Sequence, residues 1–322
     1  MAGTLMPAEG GAPCELIDDS VLETSLFLTA LHARFGADFR GFNPLVIKAK
    51  LDEQVQRCQL PNISALQGAV LRDDKLGHEV IRLLSTGHSA SLNDSHLLMA
   101  LRFAVVPILR SSPWPAIWIA DCTHPGLVVL IAAMLKEEGQ LERTQIYVTS
   151  ADESFIAEIP QLRISADDAA QLERLHQANG GHGSLLAHLE AAPAEEAQGD
   201  QEKAGAKAAA VSAARGEEGA SMADQAAGGF TLGSAVRASL TCHVHDLASD
   251  ASFREFETVV CARPLREYGF ELQQRALGIF SESLCGFGVL QIDPSSAMRT
   301  LAADFNFAPV LPGQGLYRRL PR

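Results

Sequence analysis

The sequence predicts an α/β protein in two parts. A helical N-terminal domain over 14–110 precedes an α/β domain over 111–322, whose parallel sheet ends in an antiparallel hairpin. Apolar residues recur at helical spacing up to about residue 110. Strand, helix and strand then alternate after Pro113, and two short apolar runs flank Pro312-Gly313 near the C-terminus.

Residues 1–13, MAGTLMPAEGGAP, have no basic start and no apolar stretch. They read as a flexible tail rather than a signal peptide. Leu22, Leu26, Phe27, Ala30, Leu31 and Phe35 share a helical face, as do Leu51, Val55 and Cys58, and then Leu66 and Val70. Pro44 and Pro61 each stand near a helix start, where a missing N–H costs nothing. AIWIAD (116–121) is a short buried strand, the run from about 125 to 138 a helix, and QIYVTS (145–150) a second strand. This βαβ spacing requires parallel pairing.

DDAAQLERLHQ (167–177) reads as helix, followed by Gly180-Gly181. SLTCHVHDL (239–247), ETVVC (257–261) and GFGVLQID (286–293) read as strands, with a helix near 270–283. NFAPVL and GLYRRL form the closing hairpin. Between 191 and 229 the chain is Ala, Gly, Glu and Gln with almost no large apolar residue. Such a stretch cannot offset its chain entropy, so a disordered insertion within the second domain is expected.

Composition excludes several functions. The chain has 39 Asp and Glu against 26 Lys and Arg, a net charge of −13. That balance gives no means of neutralising a run of nucleic-acid phosphates and no polybasic attraction to anionic lipid. The longest apolar run, Leu127–Leu135, is too short to insert in a membrane. The cysteines at 14, 58, 122, 242, 261 and 285 show no Cys-x-x-Cys and no metal-finger spacing, as expected of reduced thiols in a cytoplasmic protein. There is no P-loop or other nucleotide fingerprint.

His243 and His245, followed by Asp246, have the residue types of a two-His-plus-carboxylate site. They read instead as a polar strand end, and no metal is expected. Cys122 beside His124 would need a lowered thiol pKa to act as a nucleophile, and reads as a packing residue.

DFRGF (38–42), IWIADCTHPGLVVLIAAMLKEEGQLERTQIYVTS (117–150), FETVVCARPLREY (256–268) and GLYRRL (315–320) resemble the CheR-type chemoreceptor glutamate methyltransferases. The resemblance runs collinearly from about residue 25 to the end, excepting the insertion. It implies a helical N-terminal domain and a Rossmann-like, S-adenosylmethionine-dependent domain. It also implies a small β-subdomain that in some members docks a receptor tail; the helical reading of 167–177 argues against that docking here.

The chain departs from that pattern where the family binds its cofactor. The family's turn G-C-S-T-G-E-E-P reads Asp121-Cys122-Thr123-His124-Pro125-Gly126-Leu127, so a Cβ stands where backbone must approach the cofactor. The ribose-binding T-D reads Thr149-Ser150. The pocket-closing N-V-T-x-F-F-R-D reads Gly87-His88-Ser89-Ala90-Ser91-Leu92-Asn93-Asp94. N-L becomes Asp246-Leu247, and C-R-N becomes Cys261-Ala262-Arg263. The degenerate pocket positions are therefore Ser89, Asn93, Asp121, Cys122, Ser150, Asp246 and Arg263.

On the substrate side, the helix that keeps Lys48, Lys50 and Arg57 also gains Asp52 and Glu53, which weakens its attraction for an acidic receptor helix. Asp121 and Arg263 would both face the old crevice, either pairing to fill it or binding another ligand. The expectation is a non-catalytic CheR-like protein without a cofactor. Its partners would be chemosensory proteins: a receptor, a true methyltransferase or another signalling component. Two alternatives stand beside it: a divergent S-adenosylmethionine-dependent methyltransferase acting on receptor glutamates, and a sensor for another small molecule.

Overall fold

The computed structural model describes residues 19–85, 96–191, 229–311 and 313–321. The expected tail (1–13) and almost all of the expected insertion (191–229) lie outside them. The chain divides into two units, Met1–Leu84 and Ser85–Arg322. Among the described residues no helix is long and apolar enough to cross a membrane.

The first unit is helical: α1 (Asp19–Phe35), α2 (Pro44–Arg57), α3 (Ile63–Val70) and α4 (Asp74–Ser85). The starts of α2 and α3 have a local chemical cause. Asn43 accepts the Leu45 N–H at 3.0 Å with Pro44 in the first turn, and Asn62 accepts the Ala65 N–H at 2.9 Å. Phe27, Leu31, Leu51, Val55, Leu66 and Val70 of the expected faces are buried in the unit's core, whereas Leu22 and Leu26 are exposed, because the buried face of α1 is centred on Thr24, Phe27, Leu28 and Leu31.

The second unit opens with α5 (Leu97–Ser111), which the sequence reading counted with the helical domain. Its Leu98, Leu101, Val105 and Leu109 belong to the same core as the sheet. The division therefore falls after Leu84, earlier than 110, because this apolar helix face is buried against the sheet's core.

The sheet comprises β1 (Ala116–Ala120), β2 (Gln145–Ser150), β6 (Leu240–Val244), β7 (Phe256–Cys261), β8 (Leu284–Gln291), β9 (Phe307–Leu311) and β10 (Leu316–Arg319). Its order is β6-β2-β1-β7-β8-β10-β9. The first five strands run parallel and β10 is antiparallel to both its neighbours. This mostly parallel sheet with a C-terminal antiparallel hairpin is consistent with a methyltransferase fold.

The helix α6 (Pro125–Glu137) links β1 to β2, with every residue from Gly126 to Leu135 buried. Strand alternation divides β1 between two layers. Ile117 and Ile119 join the α6 cluster. Trp118, out of phase with them, packs on the rings of Phe253, Phe256 and Phe280 and donates its indole N–H to Thr149 Oγ1 at 2.8 Å.

A second, small antiparallel sheet lies where the resemblance implies a small β-subdomain, although no strand is legible there from periodicity. It consists of β3 (Arg163–Ile164), β4 (Leu189–Ala191) and β5 (Phe230–Leu232), in the order β3-β5-β4. The predicted helix lies between two of its strands as α7 (Ala166–Ala178).

Candidate functional site

In an open parallel sheet the crevice at the carboxyl ends of the strands is the usual ligand site. Here β1 and β7 are hydrogen-bonded neighbours, and each sends its next residues into that crevice. Asp121 follows β1 with φ +44°, the left-handed region in which glycine is at ease. A residue with a carboxylate thus holds a conformation that glycine adopts freely. Asp tolerates this region better than most residues because its short side chain hydrogen-bonds locally.

That carboxylate is already committed. Arg263, two residues past β7 and only 3% exposed, donates its Nε–H to Asp121 Oδ2 at 2.7 Å. The Tyr268 hydroxyl donates to the same oxygen. Arg263 also pairs through Nη1 with Glu267 Oε2 at 3.2 Å and through Nη2 with the Ser85 carbonyl. Pro264 and the 3₁₀ turn Leu265–Glu267 bring Glu267 back beneath Arg263. Asp293 fixes that turn by accepting the Leu265 N–H at 2.6 Å, and it pairs with Arg266 at 3.5 Å.

Electrostatics follow from this enclosure. Burial works against the charge on Arg263, yet Asp121, Tyr268 and Glu267 around it hold its pKa above an ordinary arginine's. Burial, and then the charge of Asp121, push the Tyr268 phenol well up, so it stays a neutral donor. The arrangement can hold two buried carboxylates around one guanidinium.

The turn leading into α6 is similarly occupied. Pro125 offers no N–H, and the Gly126 N–H is taken by His124 Nδ1 at 3.0 Å. Burial lowers the His124 pKa, against a small opposing pull from Asp168. Cys122 is fully buried, its thiol pushed up by burial to about 12, which suits packing and not nucleophilic attack.

Ser150, at the end of β2, accepts the Asp152 N–H through its hydroxyl at 3.3 Å and the His245 N–H through its carbonyl at 3.0 Å. Asp246 shapes a surface turn, accepting from Ala248 N at 2.8 Å. His245 packs edge-on against Trp118 and reaches the Ala251 carbonyl at 3.0 Å, while His243 stacks on Tyr147. Among the described residues no cluster of His, Cys, Asp and Glu is arranged to hold a metal ion. Ser89 and Asn93 lie outside the described residues.

Of the degenerate positions, the structure joins Asp121 to Arg263 directly, whereas Ser150 and Asp246 bond elsewhere. Tyr268 and Glu267 were missed as members of this network. The only signal for them was their place in FETVVCARPLREY, four and five residues after Arg263.

In the first unit the cations of α2 are also committed. Lys48 pairs with Asp52 at 2.6 Å and Arg57 with Glu79 at 3.3 Å, while Lys50 is buried with Nζ 3.4 Å from the Leu84 carbonyl. The gained Asp52 thus neutralises a cation on its own helix.

No family model matches the chain. Over 298 residues, 92% of this chain and 97% of the other, it is 27% identical to a Pseudomonas putida protein named "Putative methyltransferase Cher3". The chain is thus similar over nearly its whole length to a CheR-type methyltransferase-like protein, which supports the family that its sequence motifs resemble.

Proposed function

We propose that this is a non-catalytic CheR-like component of chemosensory signalling, which modulates receptor adaptation through protein–protein contacts. The observation that carries the reading is the engagement of Asp121 by Arg263 and Tyr268 in the turn after β1. S-adenosylmethionine would need that turn to be free of side chains and rich in N–H donors. Here the turn bears a carboxylate, a proline and an N–H already taken by His124. Ser150 supplies no carboxylate for the ribose hydroxyls. The residues present therefore do not suit that cofactor, and no catalytic step is derived through it.

A scaffold kept without its chemistry acts by binding, and the two-unit architecture of a CheR-type protein supplies surfaces for chemosensory partners. A tagged copy used to capture partners from extract of the source cells is expected to enrich a chemoreceptor, a CheR-type methyltransferase or another chemosensory protein. Recovery of none of these would overturn the reading.

The name of the relative favours a second reading: a divergent S-adenosylmethionine-dependent methyltransferase acting on receptor glutamates. Transfer of labelled methyl groups to receptor would establish it.

A further inference from the structure

A cavity of about 200 Å³ opens where the loop after β8, the start of α8 (Ser296–Asp304) and the C-terminal hairpin meet. It is separate from the Asp121–Arg263 network in its lining. Pro294, Pro309, Leu311 and Tyr317 give it apolar walls, and Ser295 and Arg299 add polar groups.

The walls are held in place. Gly315, at φ +65°, returns the chain into β10, and a Cβ there would lie 2.0 Å from the Ile292 carbonyl oxygen. Its own carbonyl accepts the Ile292 N–H at 2.9 Å. Two prolines stiffen the opposite sides. The cavity is therefore formed before any ligand arrives, as small-molecule sites usually are.

Each of its polar side chains has a hydrogen to donate. The Arg299 side chain is exposed and makes no ion pair or hydrogen bond among the described residues. In the same unit Arg102, Arg237, Arg263 and Arg266 each hold a carboxylate. Ser295 Oγ accepts the Met298 N–H at 3.1 Å, which leaves its hydroxyl hydrogen to donate. Tyr317 is 4% exposed; burial raises its phenol pKa, with an opposing pull from Arg299, so it too keeps a proton to give. No Asp or Glu lines the cavity.

We propose that this cavity binds a small apolar carboxylate, the hydrophobic body resting on Tyr317, Pro309 and Leu311 and the carboxylate on the guanidinium of Arg299. A single planar fork matches a carboxylate in two parallel hydrogen bonds. The apolar lining selects against a fully hydrated anion such as phosphate. The volume lies below the ~300–1,000 Å³ of sites for drug-sized ligands, which limits the occupant to an aromatic or branched short-chain acid.

The test is a ligand-observed NMR titration of the full chain with 3-phenylpropionate, beside its neutral amide and the Arg299→Gln variant. Arg299 is exposed, so the variant keeps the fold. The acid is expected to bind with a Kd in the millimolar range or tighter, about tenfold more tightly than the amide, and to lose about tenfold in Arg299→Gln. No binding of the acid at about 10 mM, or equal affinity for acid and amide, or an unchanged affinity in Arg299→Gln, would overturn the assignment.

Discussion

At Asp121 a left-handed backbone angle of +44° costs on the order of 1–2 kcal/mol for a residue with a Cβ. The side chain offsets that cost through Arg263 and Tyr268, so the strain and the network belong together. Arg263 contacts both carboxylates, with side chains of Asp121 and Glu267 only 14% and 4% exposed. Replacing it by Met removes the guanidinium from both, and breaking a buried pair in this way costs about 3–5 kcal/mol. Arg263→Lys keeps the charge but loses the fork, so its cost should be smaller. Urea unfolding of both variants measures this. A loss below about 1 kcal/mol in Arg263→Met would show that the network does not hold the crevice closed. Sequence alone showed that Asp121 and Arg263 could meet. It did not show that Tyr268 and Glu267 would join them, because their roles depend on the turn that Pro264 and Asp293 set between two strands.

At the scale of elements, β4 and β5 pair across the chain between them, with Ala191 opposite Phe230. Gly229, at φ +83°, already has a turn conformation, and a Cβ there would lie 2.6 Å from the Ile164 carbonyl oxygen. Replacing residues 192–228 by a single Asn would leave an Asn-Gly loop, the preferred two-residue hairpin connection. Because closing a loop costs about 0.6 kcal/mol more for each doubling of its length, the shortened protein should be at least as stable as the full chain. Thermal unfolding checks this, and a clear drop in the midpoint would mean that 192–228 contributes to the fold.

The same elements show what the sequence reveals. The helix 270–283 and the strand 145–150 are found at those positions, because each combines an unbroken periodic pattern with clear end signals. The resemblance implied a small β-subdomain, but its strands were not legible from periodicity. Its strands are two or three residues long, too short for alternation to register, and its pairing is set by contacts distant in sequence. The helix α5 was read as helix but assigned to the wrong neighbour, since periodicity marks an apolar face without saying what it covers.

For the whole molecule, the net charge of −13 is accompanied by local pairing of cations. Lys48, Arg57, Arg102, Arg237 and Arg263 each lie against a carboxylate of their own unit. On the proposed non-catalytic reading this pairing weakens attraction for an acidic receptor helix, and the turn after β1 holds protein groups where a cofactor would need N–H donors. A fold can keep its frame when its site is lost, because the core and the site draw on different residues. Isothermal titration calorimetry of the purified chain with S-adenosylhomocysteine tests the central claim most directly. A crevice filled by the Asp121–Arg263 pair gives no binding heat even at millimolar ligand; micromolar affinity, worth about −8 kcal/mol, would contradict this and return the protein to the methyltransferases.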